Sequence, residues 1–268
     1  MTTSTQLGSG IARCDLIGMD LACVKAGDLV DEIFSALSQG KGGWLITANL
    51  DFLHRCSKDA EARALYAEAD LRVADGMPLV WAARFQGDYV PERVAGSSLV
   101  LQLAERAALE GRSIYLLGGH GDAAQRAAVK MQSRFTNLAV AGASSPMVAS
   151  PPSDAEVNDL VALLVPLQPN ILMVGLGSPK QEQLIQRLRV HLPSTFMVGV
   201  GISFSFIAGD LNRAPLWMQK AGLEWMHRMA QEPGRLAKRY LVDDLPFVAS
   251  LFLSAWKKRR QRRSDGVK

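Results

Sequence analysis

The segment NILMVGLGSPKQEQLIQR, residues 170–187, changes its hydrophobic pattern in the middle, which indicates a strand followed by a helix. It begins as an apolar run, typical of a strand buried on both faces, and ends as an amphipathic helix. The turn between them carries two glycines, one proline and three polar side chains, in the segment GLGSPKQE, residues 175–182. A plain strand-to-helix connection needs one turn residue and one cap, so the additional polar residues predict a second role.

The same alternation of apolar runs and amphipathic stretches extends through most of the chain. Apolar, strand-like segments occupy residues 43–49, 71–74, 113–119, 170–177 and 194–201, and residues 14–24 favour a strand or a hairpin. Helix-like segments occupy residues 26–40, 51–70, 122–135 and 154–167. Buried strands separated by helices predict an α/β fold, a Rossmann-like parallel sheet with helices on both faces.

A basic appendage follows the predicted sheet. The strands stop after Gly209, which predicts a core at residues 1–209 and a helical appendage at residues 210–268. Residues 1–212 hold 17 Lys and Arg against 21 Asp and Glu, whereas residues 213–268 hold 13 against 5. A basic segment of this kind binds polyanions: phosphates, nucleic acid or an anionic membrane surface.

Other sequence features narrow the class of protein. The three cysteines form neither a disulfide framework nor a zinc site, which favours reduced thiols in the cytoplasm. No signal peptide is apparent, and no apolar run reaches the roughly 18 residues of a transmembrane helix. The sequence contains no G-x-G-x-x-G fingerprint, Walker A motif or Asp-x-Asp, and its four histidines lack metal-ligand spacing. We therefore expect no cofactor and no protein-bound metal, and a dehydrogenase is disfavoured.

Polar and glycine residues cluster where the predicted strands end, which is where open α/β sheets bind ligands. Thr47 and Asn49 end one strand, Asp75 and Gly76 follow a second, and three glycine turns follow the others: residues 118–121, 175–182 and 199–201. Glycines allow a ligand close to the backbone, and the free N–H groups of a helix start attract anions.

Each of these residues also has a structural alternative. Asp75 is either a general base or the cap of the next helix. Thr47 and Asn49 either orient a ligand or cap the helix that begins near Asp51. The turn at residues 175–182 either binds a ligand or is a helix cap with solvated Lys180 and Glu182.

The appendage has two parts with different chemistry. Residues 213–240 combine Trp and Met with Arg213, Arg228, Arg235 and Arg239, and arginine makes bidentate contacts to phosphate. The apolar segment LPFVASLFLSAW, residues 245–256, is too short to span a bilayer and precedes six Lys and Arg in residues 257–263. This order is typical of a segment lying in the interface of an anionic membrane; a solubilising or RNA-binding tail is the alternative.

Taken together, several motifs resemble the WecG/TagA/CpsF glycosyltransferase family, glycosyltransferase family 26. They are TANLDFL (47–53), ADLRVADGMPLVWAARFQG (69–87), PERVAGSSL (91–99), IYLLGG (114–119), PNILMVGLGSPKQE (169–182) and the segment from VGVG to KRY (198–240). The most specific are G-S-P-K-Q-E and the R-A-P…G-L-E-W…R…E-P-x-R…R-Y pattern. The resemblance covers residues 13–245.

The resemblance implies an inverting, metal-independent enzyme that moves a sugar from a UDP-sugar to a polyprenyl-diphosphate-linked saccharide. Such enzymes act peripherally at the cytoplasmic face of the inner membrane, in exopolysaccharide, teichoic acid linkage unit or common antigen synthesis. The donor types are N-acetylmannosamine, its uronic acid and glucose-type sugars.

The resemblance also implies roles for individual residues. Asp75 would be the catalytic base, with Thr47 and Asn49 in the same pocket, and Arg228, Arg235 and Arg239 would approach the diphosphate. The substrate would be bordered by Arg93, Gly96, Gly118, Gly119, Gly177, Pro179, Lys180, Gln181, Glu182 and Arg213. Ser98 stands where the family usually has Asp, which bears on the donor sugar.

The competing interpretation is a nucleotide- or nucleic-acid-binding regulatory protein with a basic tail. The sequence has no aromatic-flanked basic stripe, so we expect no nucleic acid partner. A homo-oligomer is compatible with the sequence.

Overall fold

A computed structural model describes residues 7–265, except for the side chains of residues 220, 235, 237, 239, 240, 243 and 265. Its largest sheet has six parallel strands in the spatial order β4-β3-β8-β7-β5-β6. The strands are β3 (Gly43–Ala48), β4 (Leu71–Ala74), β5 (Ser113–Gly118), β6 (Ala139–Ser144), β7 (Ile171–Gly175) and β8 (Phe196–Gly199). A separate antiparallel hairpin, β1 (Arg13–Leu16) and β2 (Met19–Ala22), precedes them. The predicted α/β class and parallel sheet are confirmed.

Helices cover both faces of the sheet because the side chains of each strand alternate between two cores. Trp44 and Ile46 of β3 face one apolar cluster, and Leu45 faces the other. The helices of the core are α1 (Ala26–Ser38), α2 (Leu50–Lys58), α3 (Ala60–Ala67), α4 (Met77–Gln86), α5 (Gly96–Glu110), α6 (Ala123–Arg134), α7 (Asp154–Leu164), α8 (Lys180–Leu188) and α9 (Ser203–Ala208).

The central pair of strands joins distant parts of the chain. Strand β3 pairs with β8 in parallel, with Trp44 opposite Met197 and Ile46 opposite Gly199. Strand β3 also pairs with β4, so that Ala48 lies opposite Ala74. This register brings the residues that follow β4, β3, β8 and β7 to one edge of the sheet.

The segment after Gly209 is helical, as its sequence predicts. It contains α10 (Leu216–Lys220), α11 (Glu224–Gln231), α12 (Pro233–Lys238), a π-helical segment (Arg239–Asp244) and α13 (Leu245–Asp265). Among the described helices, none combines the length and the apolar character that crossing a membrane requires.

Helix α13 packs along α4. Phe247, Leu251 and Ala255 recur every four residues on one side of α13 and are buried in the core cluster that includes α4. On the same side Lys258 donates to Asp15 at 2.8 Å, and Arg262 donates to Asp88 at 2.7 Å. Phe247, Leu251 and Ala255 lie inside the protein because they pack against α4. Leu253 and Trp256, on the other side of α13, stay exposed.

Candidate active site

A pocket of about 530 Å³ opens at the carboxyl edge of β4, β3, β8 and β7. This volume lies within the range of small-molecule sites in enzymes. Its floor comes from the strand ends and its outer wall from the appendage. The lining includes Thr47, Asn49, Asp51, Asp75, Trp81, Arg93, Gly96, Ser97, Gly177, Ser178, Gln181, Gly199, Gly201, Ser203, Phe206, Glu224, Trp225, Arg228, Leu245 and Val248.

Asp75 follows β4 and presents a carboxylate to the pocket. Its backbone N–H donates to Ala48 O at 2.7 Å, and its Oδ2 accepts from the N–H of Gly96 at 3.0 Å. Gly96 is the first residue of α5, whereas α4 begins after Gly76 without a side-chain cap. Asp75 therefore does not cap the next helix in sequence. Burial raises the pKa of Asp75, against the lowering effects of the Gly96 N–H and of Arg93, as is common for general bases.

Gly96 allows the start of α5 to approach Asp75 and Thr47. A Cβ at residue 96 would lie 2.9 Å from Thr47 Oγ1 and 3.6 Å from Asp75 Oδ2. The hydroxyl of buried Thr47 lies 3.5 Å from Gly199 O and so links β3 to the end of β8. The side chains of Thr47 and Asp75 thus meet at one point of the pocket floor.

Asn49 caps a helix and also lies in the pocket lining, so its role towards a ligand stays a prediction. Its Oδ1 accepts from the N–H of Asp51 at 3.0 Å and so caps α2. The residue also lines the pocket, next to Asp51, whose carboxylate is paired with Arg55 at 2.9 Å. The cap fixes the side chain of Asn49 at the pocket wall.

Gln181 is one of the extra polar residues after β7, and its contacts show a structural role. Its Oε1 accepts from the N–H of Gly177 at 3.2 Å and from the N–H of Gly201 at 3.1 Å. Its Nε2 donates to Glu182 Oε1 at 2.7 Å. Gln181 thus ties the turn after β7 to the turn after β8. The N–H of Gly177 is consequently used inside the protein and is not free for an anion.

The carboxyl group of Glu182 is buried next to the Gln181 amide that joins these two turns. Burial raises the pKa of its carboxyl to about 7, against the lowering effect of the hydrogen bond from Gln181. Gly199 makes room for both side chains, because a Cβ there would lie 2.5 Å from Gln181 Nε2 and 3.1 Å from Glu182 Oε1.

The cations of the site surround Glu224 at the start of α11. Arg93 donates to Glu224 Oε2 at 2.7 Å, and Arg213 Nε lies 3.5 Å from Glu224 Oε1. Nε and Nη2 of Arg213 and Nε of Arg228 are buried without a hydrogen-bond partner among the described residues. Buried guanidinium donors of this kind are suited to an anionic ligand. The side chains of Arg235 and Arg239 lie outside the described part of the structure.

Several predicted substrate residues lie near the pocket but not in its lining: Gly118, Gly119, Pro179, Lys180, Glu182 and Arg213. Gly118 has a packing role, since a Cβ there would lie 2.8 Å from the backbone of Gly175. Gly119 donates to Gly175 O at 2.7 Å. These two glycines hold β5 close to the end of β7.

Sequence reasoning missed part of the wall, above all Trp81, Ser97 and Phe206. Trp81 could have been found, because residues 77, 78 and 81 share one side of the helix that begins after Asp75. Phe206 follows the glycine turn at residues 199–201 and carried no comparable signal.

Among the side chains that the structure describes, no group of three or more His, Cys, Asp or Glu is placed to hold a metal ion.

The carboxylate, the glycine turns and the guanidinium groups of the pocket lie in segments that carry the sequence motifs of one enzyme family. The sequence model of the Glycosyl transferase WecG/TagA/CpsF family matches residues 14–262. The chain belongs to this family. It is therefore a glycosyltransferase of cell-surface polysaccharide synthesis, which takes a nucleotide-sugar donor and a sugar acceptor. In this WecG/TagA/CpsF enzyme the matched region includes the whole pocket and most of α13.

Proposed function

We propose that this enzyme transfers a sugar from a UDP-sugar to a polyprenyl-diphosphate-linked saccharide, with inversion and without a metal ion. The observation that carries the proposal is the carboxylate of Asp75, whose pKa is raised, in a pocket that is also lined by Arg228, whose buried Nε has no hydrogen-bond partner among the described residues.

Asp75 supplies the base for a single displacement. An acceptor hydroxyl loses its proton to the Asp75 carboxylate as its oxygen bonds to the anomeric carbon of the donor. The bond between that carbon and the diphosphate oxygen breaks, and UDP leaves with the electron pair. One displacement inverts the anomeric configuration. Thr47 and Asn49, fixed beside Asp75, orient the reacting sugar.

The charge of the leaving UDP needs cationic partners. Glu224 already neutralises much of the charge of Arg93 and Arg213. Arg228 lines the pocket and its buried Nε has no hydrogen-bond partner among the described residues, so we assign the diphosphate first to Arg228. Donors held in place before the reaction stabilise developing charge without reorganisation. Arg235 and Arg239 complete this set in the proposal.

The outer side of α13 supports action at the cytoplasmic face of the inner membrane. Leu253 and Trp256 are exposed there, and Lys257, Arg260 and Arg263 are exposed beside them. An apolar strip followed by cations fits the interface of an anionic leaflet. The pocket wall includes Leu245 and Val248 of the same helix, so a lipid-linked acceptor would reach the pocket from the membrane surface.

A donor screen tests the proposal. Purified enzyme is offered a set of UDP-sugars with a short-chain polyprenyl-diphosphate saccharide in excess EDTA, and UDP release and glycosylated product are measured. Calorimetry with UDP in EDTA gives affinity independently of the acceptor. Turnover that requires another nucleotide or an added divalent ion would refute the proposed donor or the metal independence.

A further inference from the structure

Glu182 is a buried carboxylate that the proposed mechanism does not use. Only 1% of the residue is exposed, and it stands behind the pocket wall rather than in it. Burying an ionisable group costs free energy unless the group is paired or hydrogen-bonded. Glu182 accepts a hydrogen bond from Gln181 at 2.7 Å, which points to a role for this contact.

The two ends of the Gln181 amide are chemically different. Two backbone N–H groups, of Gly177 and Gly201, point at one end, which must therefore be the oxygen. Reversal of the amide would place its NH₂ against both N–H groups. Glu182 has an oxygen that can accept from the NH₂ end whether its carboxyl is ionised or protonated, and the amide oxygen of Gln181 is already occupied by two N–H groups, so Glu182 faces the NH₂ end. Glu182 thereby fixes the orientation that the two glycine turns require.

We propose that Glu182 is a positioning residue that acts through Gln181, locking together the turns after β7 and β8 so that the pocket keeps its donor-binding shape. Both turns line the pocket at Gly177 and Gly201. The locking needs no ligand, whereas the effect on the donor rests on the proposed function.

Exchanging the two side chains separates this role from simple core packing. Gln181→Glu alone places two buried carboxylates side by side with no N–H between them. The double variant, Gln181→Glu with Glu182→Gln, restores the pattern: residue 181 offers acceptors to both glycine N–H groups, and residue 182 supplies the NH₂. Glu182→Gln alone can still turn its own oxygen toward Gln181. Gln183→Glu is the matched control, because Gln183 accepts from Ser150 on the outer side of the same helix.

The first measurement is amide hydrogen exchange of the protein without ligand. In Gln181→Glu, exchange should be at least 10-fold faster in the segments that carry Gly177 and Gly201, and the double variant should return to within about threefold of wild type. The second is steady-state kinetics with the donor found by the screen. Gln181→Glu should raise the donor KM about 10-fold, the loss of one net hydrogen bond, with a smaller change in kcat.

The two proposals fail separately. A double variant that exchanges as fast as Gln181→Glu, or a Gln181→Glu variant that exchanges like Gln183→Glu, would overturn the inference. The absence of turnover with every UDP-sugar would refute the proposed donor, and the exchange measurement would still decide the role of Glu182. If Gln181→Glu does not fold, recovery of folding and exchange protection in the double variant supports the inference, and failure of both overturns it.

Discussion

Arg93 and Glu224 form a 2.7 Å ion pair across the boundary between the sheet and the appendage. Arg93 precedes α5 and Glu224 begins α11, and each side chain is only 15% exposed. Because Glu224 also lies beside Arg213, a single carboxylate joins two cations to the pocket edge. The pair therefore fastens the helices after Gly209 to the edge of the sheet where the pocket opens.

Breaking this pair should loosen the appendage. Glu224→Gln keeps the shape of the side chain but leaves Arg93 and Arg213 without a counter-charge. We expect a loss of about 1–3 kcal/mol in the free energy of unfolding, together with a higher donor KM. Thermal denaturation and steady-state kinetics check this. Glu110→Gln, which breaks an exposed pair with Arg106, is the control and should cost less than about 0.5 kcal/mol.

Asp75→Asn should lower kcat by about 10²–10⁴, the usual contribution of a general base, and leave the affinity for UDP nearly unchanged. The amide oxygen of Asn can still accept from the N–H of Gly96, so the fold should persist. Asp122→Asn, at an exposed residue paired with Arg126, is the matched control. Turnover of Asp75→Asn equal to that of the control would exclude Asp75 as the base.

Arg228→Ala should reduce kcat/KM by about 10²-fold with a short, water-soluble acceptor. Its buried Nε has no hydrogen-bond partner among the described side chains, and no membrane is present in such an assay. Arg260→Ala removes an arginine from the outer side of α13 and should leave this rate unchanged. Equal rates for both variants would mean that Arg228 does not stabilise the leaving group.

The stability of the protein should depend on the ionisation of Glu182. Its pKa is about 7 in the folded protein against an ordinary value of 4.5, so the folded state holds a proton that the unfolded chain releases. The part of the free energy of unfolding that depends on Glu182 is therefore fully present below pH 4.5. It decreases as the pH rises to about 7, by about 3 kcal/mol in all. The charged group that lowers the pKa of Glu182 is Arg55 of α2.

Glu182→Gln removes this titration. Urea denaturation at pH 5 and pH 8 should show a smaller difference in the free energy of unfolding for Glu182→Gln than for wild type. Gln183→Glu serves as the control, since its new carboxyl is partly exposed. The same pH difference in wild type and Glu182→Gln would assign it to other groups.

Membrane binding should depend on the outer cations of α13. Replacing Lys257, Arg260 and Arg263 with Glu should reduce co-sedimentation with anionic vesicles, because each cation near such a surface contributes about 1 kcal/mol. The fold should be retained, since Lys258 and Arg262 make the contacts with the core. The same charge change at Lys25, Lys41 and Lys58 is the control. Deleting residues 245–268 would be a poorer test, because it would also remove part of the pocket wall.

The strands that could be predicted are those with continuous apolar runs, because burial on both faces leaves that mark in the sequence. Strand β6, Ala139–Ser144, was missed since AVAGAS has small side chains, as suits a partly exposed edge strand. Helix α5, Gly96–Glu110, was also missed, although it is long. The class and the helical segment after Gly209 were predicted correctly, and of the strand or hairpin predicted at residues 14–24 the structure shows the hairpin.

The position of the pocket could be predicted because parallel strands end at one edge of the sheet, which brings Thr47, Asn49 and Asp75 into one lining. The contacts between the side chains around the pocket could not be predicted. The partners of Glu224 and of Gln181 are set by contacts between residues far apart in the chain, and local patterns carry no trace of them. Gly118, the last residue of β5, and Gly119 hold β5 close to the end of β7, and their role at a nucleotide stays a prediction.

The pairing of β3 with β8 has a consequence for how the protein folds. Thr47 Oγ1 lies 3.5 Å from Gly199 O, and the two residues are 152 positions apart in the sequence. The edge of the sheet where the pocket opens therefore forms only after a very long loop has closed. Closure of this kind slows folding, because its entropic cost precedes any gain from contacts. Until then the apolar edges of β3 and β7 are uncovered, and such intermediates aggregate readily. We expect refolding yield to fall with protein concentration and activity to return in the slowest kinetic phase.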